Sequence, residues 1–255
     1  MRLQIKCMTC LEVDGMMSDE ANSVEMQDDG LYSMTCQRGH KTITAIHEQK
    51  FEILFDLGAM ALLDGYPREA VTSMAAAVER FFECYIQVIS LKHGISFQTL
   101  TAAWQPVSRQ SERRFGAFLF IYLMENKRIF DPSIADAKPD ASFGLKKRLT
   151  WTEFRNEVVH KGYIPSSKEV LAYGELIYQF IYRLIEELRA TSKEYMLKVA
   201  FHHNAKAFVL SAGGRITTMS IPTLISLVLA NRPAPTFGEA LKGFETYRRW
   251  HSYSA

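Results

Sequence analysis

An arginine, an asparagine and a histidine stand close together near the middle of the chain. Arg155 is followed directly by Asn156, and His160 comes one helical turn after the asparagine. A guanidinium is a permanent cation whose planar fork fits a phosphate. An imidazole is the side chain that most readily exchanges protons near neutral pH. Together these groups have the chemistry to cut a phosphodiester bond without a metal ion.

Three cysteines and a histidine, arranged in two local pairs, predict a zinc site near the amino terminus. Cys7 and Cys10 form a C-x2-C pair, and Cys36 and His40 form a second pair. Four such ligands suit tetrahedral zinc, and a site closed by four protein ligands is structural rather than catalytic. Gly39 has the backbone freedom to turn the second pair inward. The alternative is a set of unrelated free thiols.

The segment that carries these pairs, residues 1–47, resembles a zinc ribbon. It is too small and polar to fold on its own core, so the metal is expected to supply much of its stability. Zinc ribbons often touch nucleic acid, but this one holds four Lys/Arg against seven Asp/Glu. Its acidity favours docking or contact with a protein partner over phosphate binding.

Composition excludes several other classes of protein. The net charge of +2 is close to neutral, although residues 105–148 are basic, with nine Lys/Arg against five Asp/Glu. We find no secretory signal and no apolar run of about 18 residues that would span a membrane. Four cysteines without a secretory signal indicate reduced thiols or metal ligands. The sequence therefore predicts a cytoplasmic protein that does not contact a membrane.

The chain after residue 47 has the apolar spacing of helices. One helix is expected over about 48–63 and a second from Pro67 to near Gly94, with Gly65 ending the first. A helix around Phe115 to Asn126 and a loop near 131–141 lie in the basic segment. Cys84 falls in an apolar stretch of the second helix, so we expect it to bind no metal.

The helix that carries Arg155 has clear start and stop signals. Thr150 and Glu153 form a capping box, which predicts a start at about Trp151, and Gly162 suits the position after the end. A rotation of about 100° per residue directs the side chains of Trp151, Phe154 and Val158 to the core. Asn156 and His160 then lie on nearly the opposite side, with Arg155 at the edge. Ser166 and Glu169 form a second capping box before another long helix.

The carboxy-terminal part is expected to be a helical extension. Residues 221–229 form an apolar run that we interpret as a short helix. The last helix ends with aromatic and cationic residues interleaved over 247–253, which can stack on bases; a helix with one packed face is the alternative. The predicted segments are a zinc ribbon over 1–47, a helical domain over 48–192 and the extension over 193–255.

The order of helices and the motif Arg155-Asn156-x-x-x-His160 together resemble a known family. They are similar to a HEPN domain, the higher-eukaryote and prokaryote nucleotide-binding fold, whose signature is R-x(4–6)-H with a polar residue after the arginine. The sequence segments 65–71 and 159–165 also lie at positions where the family has segments of this kind. The resemblance covers roughly residues 45–190. It implies a mainly α protein with a HEPN-like helical bundle.

The resemblance also implies an activity and an assembly. Catalytic HEPN proteins are metal-independent endoribonucleases that dimerise so that two motif helices form one site. His160 would act as general base or acid, Arg155 would hold the phosphate, and Asn156 would orient the imidazole or the phosphate. Glu79 and Arg80 are weaker candidates for a supporting role. The products would carry a 2′,3′-cyclic phosphate. A role in antiviral defence or as a toxin, with a regulatory or antitoxin partner, follows from the family alone.

Other interpretations of the same residues remain open at this stage. Many HEPN domains are non-catalytic and bind nucleotides or proteins. Arg155 could form an ion pair with a carboxylate of a neighbouring helix, and His160 could stabilise the end of its own helix, where a cation is favoured.

Overall fold

The protein is mainly helical, with short strands near its amino terminus. A computed structural model describes residues 2–16, 21–108, 110–130, 150–210, 216–228 and 236–251. The elements in chain order are β1 (Arg2–Ile5), α1 (Met8–Asp14), β2 (Asn22–Glu25), β3 (Leu31–Thr35), β4 (Lys41–Ile46), α2 (Lys50–Leu63), α3 (Pro67–Lys92), α4 (Phe97–Trp104), α5 (Ser111–Asn126), α6 (Trp151–Lys161), α7 (Ser167–Leu210), β5 (Ile216–Met219) and α8 (Phe237–His251).

The chain divides into two compact units. The first comprises Met1–Glu48, Ala200–Pro222 and Gly243–Ala255, and the second comprises Gln49–Val199 and Thr223–Lys242. The division into 1–47, 48–192 and 193–255 expected from the sequence stays a prediction.

The first unit contains the strands. β1 pairs with β2 in antiparallel orientation, and β3 pairs with β4 in the same way. β5 from the carboxy-terminal part lies parallel to β4, with Ile43 opposite Ile216 and the hydroxyls of Thr44 and Thr217 2.8 Å apart. The expected carboxy-terminal extension is thus not wholly helical, because one of its segments completes this sheet.

The second unit is built from helices packed around an aromatic core. α2 and α3 lie against each other, joined through Gly65, whose φ is +79°. Large side chains of both helices are fully buried, among them Phe51, Phe55, Phe81 and Tyr85, and the rings of Phe51 and Phe81 lie 5.1 Å apart. Each such side chain stabilises the fold by roughly 1.5–3 kcal/mol through removal of apolar surface from water. The bounds of α2, α3 and α5 agree with the sequence to within a few residues.

The predicted helix over 221–229 is wrong for its described part, since residues 221–228 form no helix. The backbone N–H of Leu224 donates to Asp56 at 3.0 Å, and that of Leu227 donates to Glu52 at 2.7 Å. These buried carboxylates replace the hydrogen bonds that a helix would have made, so the apolar run forms a bent, irregular segment in which Ile225 and Leu227 are buried.

Several segments named in the sequence analysis lie outside the described residues. They are the loop over 131–141, the basic residues 146–148, the end of the apolar run at 229, residues 252–253 and the side chains of 247–251. Among the helices that the structure describes, none combines the length and the apolar character needed to cross a membrane.

Candidate functional site

The motif helix α6 begins and ends where the sequence predicted. The hydroxyl of Thr150 accepts a hydrogen bond from the N–H of Glu153 at 3.2 Å, and the Glu153 carboxylate accepts from the N–H of Thr150 at 2.8 Å. At the other end Gly162 has a φ of +72°, and its N–H donates to the carbonyl of Glu157. These local contacts fix where α6 begins and ends, and so the direction in which each of its side chains points.

Burial along α6 agrees with the predicted core face at Phe154 and Val158, which are buried, and with the exposure of His160. Trp151, also predicted to face the core, is only half-buried, as are Arg155 and Asn156, and all three line one pocket. His160 is therefore available to a ligand or to another chain.

The guanidinium of Arg155 brings the motif together. Its Nη1 donates to Oδ1 of Asn156 at 3.0 Å and lies 3.5 Å from Nε2 of His160. Because a guanidinium can only donate, the second contact is favourable when Nε2 of His160 carries a lone pair. That is the neutral tautomer with its hydrogen on Nδ1, in which Nε2 can accept a proton from a substrate.

A carboxylate on α3 supports this arginine. Glu79 accepts from Nη2 of Arg155 at 3.1 Å through one oxygen and from Nη1 of Arg114 at 2.5 Å through the other. One carboxylate thus pairs with two guanidiniums. The three side chains together therefore carry an excess positive charge beside Asn156. The expected support from Glu79 agrees with this contact, whereas Arg80 pairs with Glu83 at 2.8 Å.

Two further arginines were not predicted as part of the site. Arg114, from the basic segment, reaches Glu79, as described above. Arg68 donates to the backbone carbonyls of Val158 and Val159 at 3.3 and 3.5 Å, next to His160. Arg68 thereby satisfies carbonyls near the end of α6 and holds that end against the start of α3. The only signal for Arg68 in the sequence was its place in the segment 65–71, which resembles the family.

The bridging role of Glu79 leads to a test of stability. Replacing Glu79 by Gln leaves two partly buried cations with a neutral partner, so we expect the free energy of unfolding to fall by about 1–3 kcal/mol. Chemical denaturation of the two proteins measures the difference. Glu83→Gln is the matched control, because Glu83 lies on the same helix and, among the residues that the structure describes, pairs only with Arg80 three residues away. The loss in this variant should stay below about 1 kcal/mol. An equal effect of both substitutions would contradict the bridging role.

A pocket of about 140 Å³ opens beside Arg155 and Asn156. Its walls come from α3, α5 and α6, and its lining is mostly apolar with a polar margin. The lining residues are Ala75, Val78, Glu79, Phe82, Ser111, Glu112, Phe115, Trp151, Thr152, Arg155 and Asn156.

The four predicted metal ligands of the first unit come together. One ligand atom from each of Cys7, Cys10, Cys36 and His40 lies within 4.8 Å of all the others. The sulfurs of Cys10 and Cys36 are 3.8 Å apart, and Nδ1 of His40 lies 3.3 Å from the Cys10 sulfur and 4.0 Å from that of Cys7. The three cysteines are buried, so these residues could bind a metal ion shielded from water.

Local backbone geometry positions each of the two pairs of ligands. Cys7 immediately precedes α1, which places Cys10 in its first turn. Cys36 and His40 flank a tight turn in which Gly39, at a φ of +80°, donates its N–H to the Cys36 carbonyl at 2.8 Å. Burial disfavours the Cys36 thiolate, but hydrogen bonds from the backbone of His40 and Arg38 and from the side chains of Cys7 and Cys10 together lower the pKa of that thiol. Burial, with the neighbouring Cys7 and Cys36, raises the pKa of the Cys10 thiol to about 11. A bound metal ion would hold these thiols in the ionised form.

The fourth cysteine lies apart from this cluster. Cys84 is buried in α3, and burial raises the pKa of its thiol well above the ordinary value. A thiol in such surroundings is unreactive and remains protonated.

In comparisons with known proteins, the chain matches no protein-family model, no curated protein and no solved structure. The resemblance carried by Arg155, Asn156 and His160 therefore stays a prediction.

Proposed function

We propose that the protein is a metal-independent endoribonuclease of the HEPN type, with Arg155, Asn156 and His160 as its site. The observation that carries the proposal is the contact of one guanidinium with both Asn156 and His160 on an accessible face of α6. A phosphate placed there would meet a fixed cation and a proton acceptor at once. The excess positive charge of the Arg114, Glu79 and Arg155 trio supports binding of an anion.

The proposed reaction is transfer within the RNA backbone. Nε2 of His160 takes the proton of a ribose 2′-OH, whose oxygen attacks the adjacent phosphorus. The O2′–P bond forms while the P–O5′ bond breaks, and the departing oxygen takes a proton from water to become a 5′-OH, while His160 later releases its proton to solvent. Arg155 offsets the charge that grows on the phosphate oxygens, and Asn156 orients the guanidinium. No metal ion takes part in the chemistry.

A second candidate is a non-catalytic HEPN module that binds nucleotides or proteins. The observation that favours it is the ion pair between Arg155 and Glu79, which leaves less of the guanidinium available to a substrate. In this case the positive charge would hold a ligand without any bond being broken.

Cleavage assays separate the two candidates. The ribonuclease should cut single-stranded RNA in excess EDTA, once its structural metal is accounted for, and should leave DNA of the same sequence intact. The reason is that the attacking group, the 2′-OH, is missing from DNA. RNA left intact would favour the binding module, and DNA cut as readily as RNA would remove the proposed mechanism.

We also propose that the metal is zinc and that its role is structural. Tetrahedral zinc, with bonds of about 2.3 Å to sulfur and 2.0 Å to nitrogen, sets distances of about 3.8 Å between two sulfurs and 3.5 Å between sulfur and nitrogen. The Cys10–Cys36 separation of 3.8 Å and the 3.3 and 4.0 Å separations to His40 support that geometry. Three thiolates and one imidazole are ligands that zinc prefers, and they leave no open position for catalysis.

The active form is proposed to be a homodimer with two copies of α6 near the two-fold axis. Tyr163 and Ile164, directly after α6, and Tyr66, before α3, are exposed, with Ile164 75% accessible. Such apolar residues close to the exposed His160 support an interface between two copies. A defence or toxin role, a regulatory or antitoxin partner and a cytoplasmic location stay predictions.

A charge in this surface should break the dimer. We expect Ile164→Asp to convert a dimer into a monomer in light scattering at micromolar concentration, because an unpaired carboxylate is costly to bury. Ile129→Asp is the control, since Ile129 is 84% exposed just after α5, outside the α6 surface, and the substitution should leave the dimer intact. A wild-type monomer would count against the dimer and against a composite site.

A further inference from the structure

The pocket of about 140 Å³ shares residues with the proposed catalytic site. Arg155 and Asn156 line it, and so does Glu79, which holds Arg155 in place. The nucleotide attached to a phosphate bound by Arg155 would therefore lie next to this pocket. Because a nucleobase is joined to that phosphate through one ribose, the position of the pocket fits a base of the bound RNA.

The walls have the chemistry of a stacking site. Phe82, Phe115 and Trp151 line the pocket, and the rings of Phe82 and Phe115 lie 5.5 Å apart. Phe115 and Trp151 are only half-buried, so parts of their rings remain accessible. Aromatic side chains bind unstacked bases of single-stranded RNA by stacking. A flat aromatic ligand is thus favoured over a bulky aliphatic one.

The margin of the pocket adds hydrogen-bond donors and acceptors. The Asn156 side chain uses its oxygen to accept from Arg155, which leaves its NH₂ group as a donor. The Ser111 hydroxyl can donate or accept, and the Glu112 carboxylate can accept from an amino group of a base. A purely apolar ligand would leave these groups unused.

We propose that this pocket binds the nucleobase next to the phosphate held by Arg155, so that the enzyme recognises single-stranded RNA with an extruded base. This inference rests on the proposed ribonuclease function and adds a base-binding subsite to it. Double-stranded RNA, whose bases are paired and stacked, is then a poor substrate.

The test compares ligands that differ only in the base. The four nucleosides, as their 3′- and 5′-monophosphates, and ribose 5-phosphate are titrated into the full chain carrying His160→Ala, while the indole N–H resonance of Trp151 is followed by NMR. We expect at least one nucleotide to bind about tenfold more tightly than ribose 5-phosphate, because base stacking supplies that difference. The Trp151 resonance should shift with that nucleotide and not with the sugar phosphate.

A variant that fills the pocket tests whether the preference for nucleotides arises there. Ala75 lines the pocket, so Ala75→Met should remove the preference for the nucleotide while leaving ribose 5-phosphate binding unchanged. Ala76→Met on the next position of α3, which does not line the pocket, is the matched control and should keep the preference. Ser111→Leu at the mouth of the pocket serves the same purpose as Ala75→Met if that variant does not fold.

The outcomes separate this inference from the proposed function. Equal binding of ribose 5-phosphate and every nucleotide, no binding of any nucleotide, or an unchanged preference in both filling variants would overturn the base pocket. RNA cleavage by the wild-type protein is measured in parallel. Cleavage without base-dependent binding removes the pocket alone, whereas base-dependent binding without cleavage keeps the pocket and removes the ribonuclease.

Discussion

His160→Ala should abolish RNA cleavage, with kcat/KM falling by at least about 10²-fold, and should leave the fold intact. The loss is expected because a positioned general base contributes roughly 10²–10⁴-fold to a rate. The fold should survive because His160 is exposed and its removal opens no cavity in the core. Initial rates on a labelled single-stranded RNA, with circular dichroism of both proteins, measure the two quantities.

Arg155→Ala should produce a loss of similar size for a different reason. Removing the guanidinium takes away the cation that offsets charge on the phosphate, and a single such group is worth roughly 10²–10³-fold in rate. His93→Ala is the control for both variants, because His93 is also exposed but pairs with Glu125 away from the motif. Either motif variant cleaving as fast as the wild type would remove that residue from the mechanism.

Loss of one metal ligand should have the largest effect on stability. We expect Cys36→Ala to lose its zinc and the folded state of the first unit, because binding of structural zinc contributes on the order of 10 kcal/mol in small metal-stabilised folds. Elemental analysis measures the zinc, and thermal unfolding followed by circular dichroism measures the structure. The wild type should contain one zinc ion per chain.

Cys84→Ala is the matched control for that substitution. Cys84 is a buried thiol outside the cluster, so the variant should keep its zinc and lose only the packing of one sulfur. Wild-type protein that contains no zinc, with all four ligands reduced, would contradict the proposal of a zinc site. Cys84→Ala losing the metal would show that the ligand set is wrong.

The motif helix and the metal pairs could be predicted because their signals are local. The capping box of Thr150 and the left-handed Gly162 fix the ends of α6 within a few residues of the groups involved. The same is true of the turn at Gly39, which sets the spacing of Cys36 and His40. In each case the hydrogen bonds join residues at most five apart in the chain. A short stretch of sequence is therefore enough to predict them.

What could not be predicted depends on contacts between distant residues. β5 pairs with a strand about 170 residues earlier in the chain, and no local pattern reveals such a parallel partner. The apolar run after Ile221 had the composition of a helix, but carboxylates of α2 take its amide hydrogens. Arg68 and Arg114 reach the motif from other helices, so their roles emerged only from the fold.

The most direct test of the central claim is the chemical nature of the RNA ends after cleavage in EDTA. Mass spectrometry of the fragments of a defined single-stranded RNA should find a 2′,3′-cyclic phosphate on one side of each cut and a 5′-OH on the other. Those ends arise only when the neighbouring 2′-OH is the nucleophile, as the site of Arg155 and His160 requires. Fragments ending in a 3′-OH and a 5′-phosphate, or no fragments at all, would contradict the account.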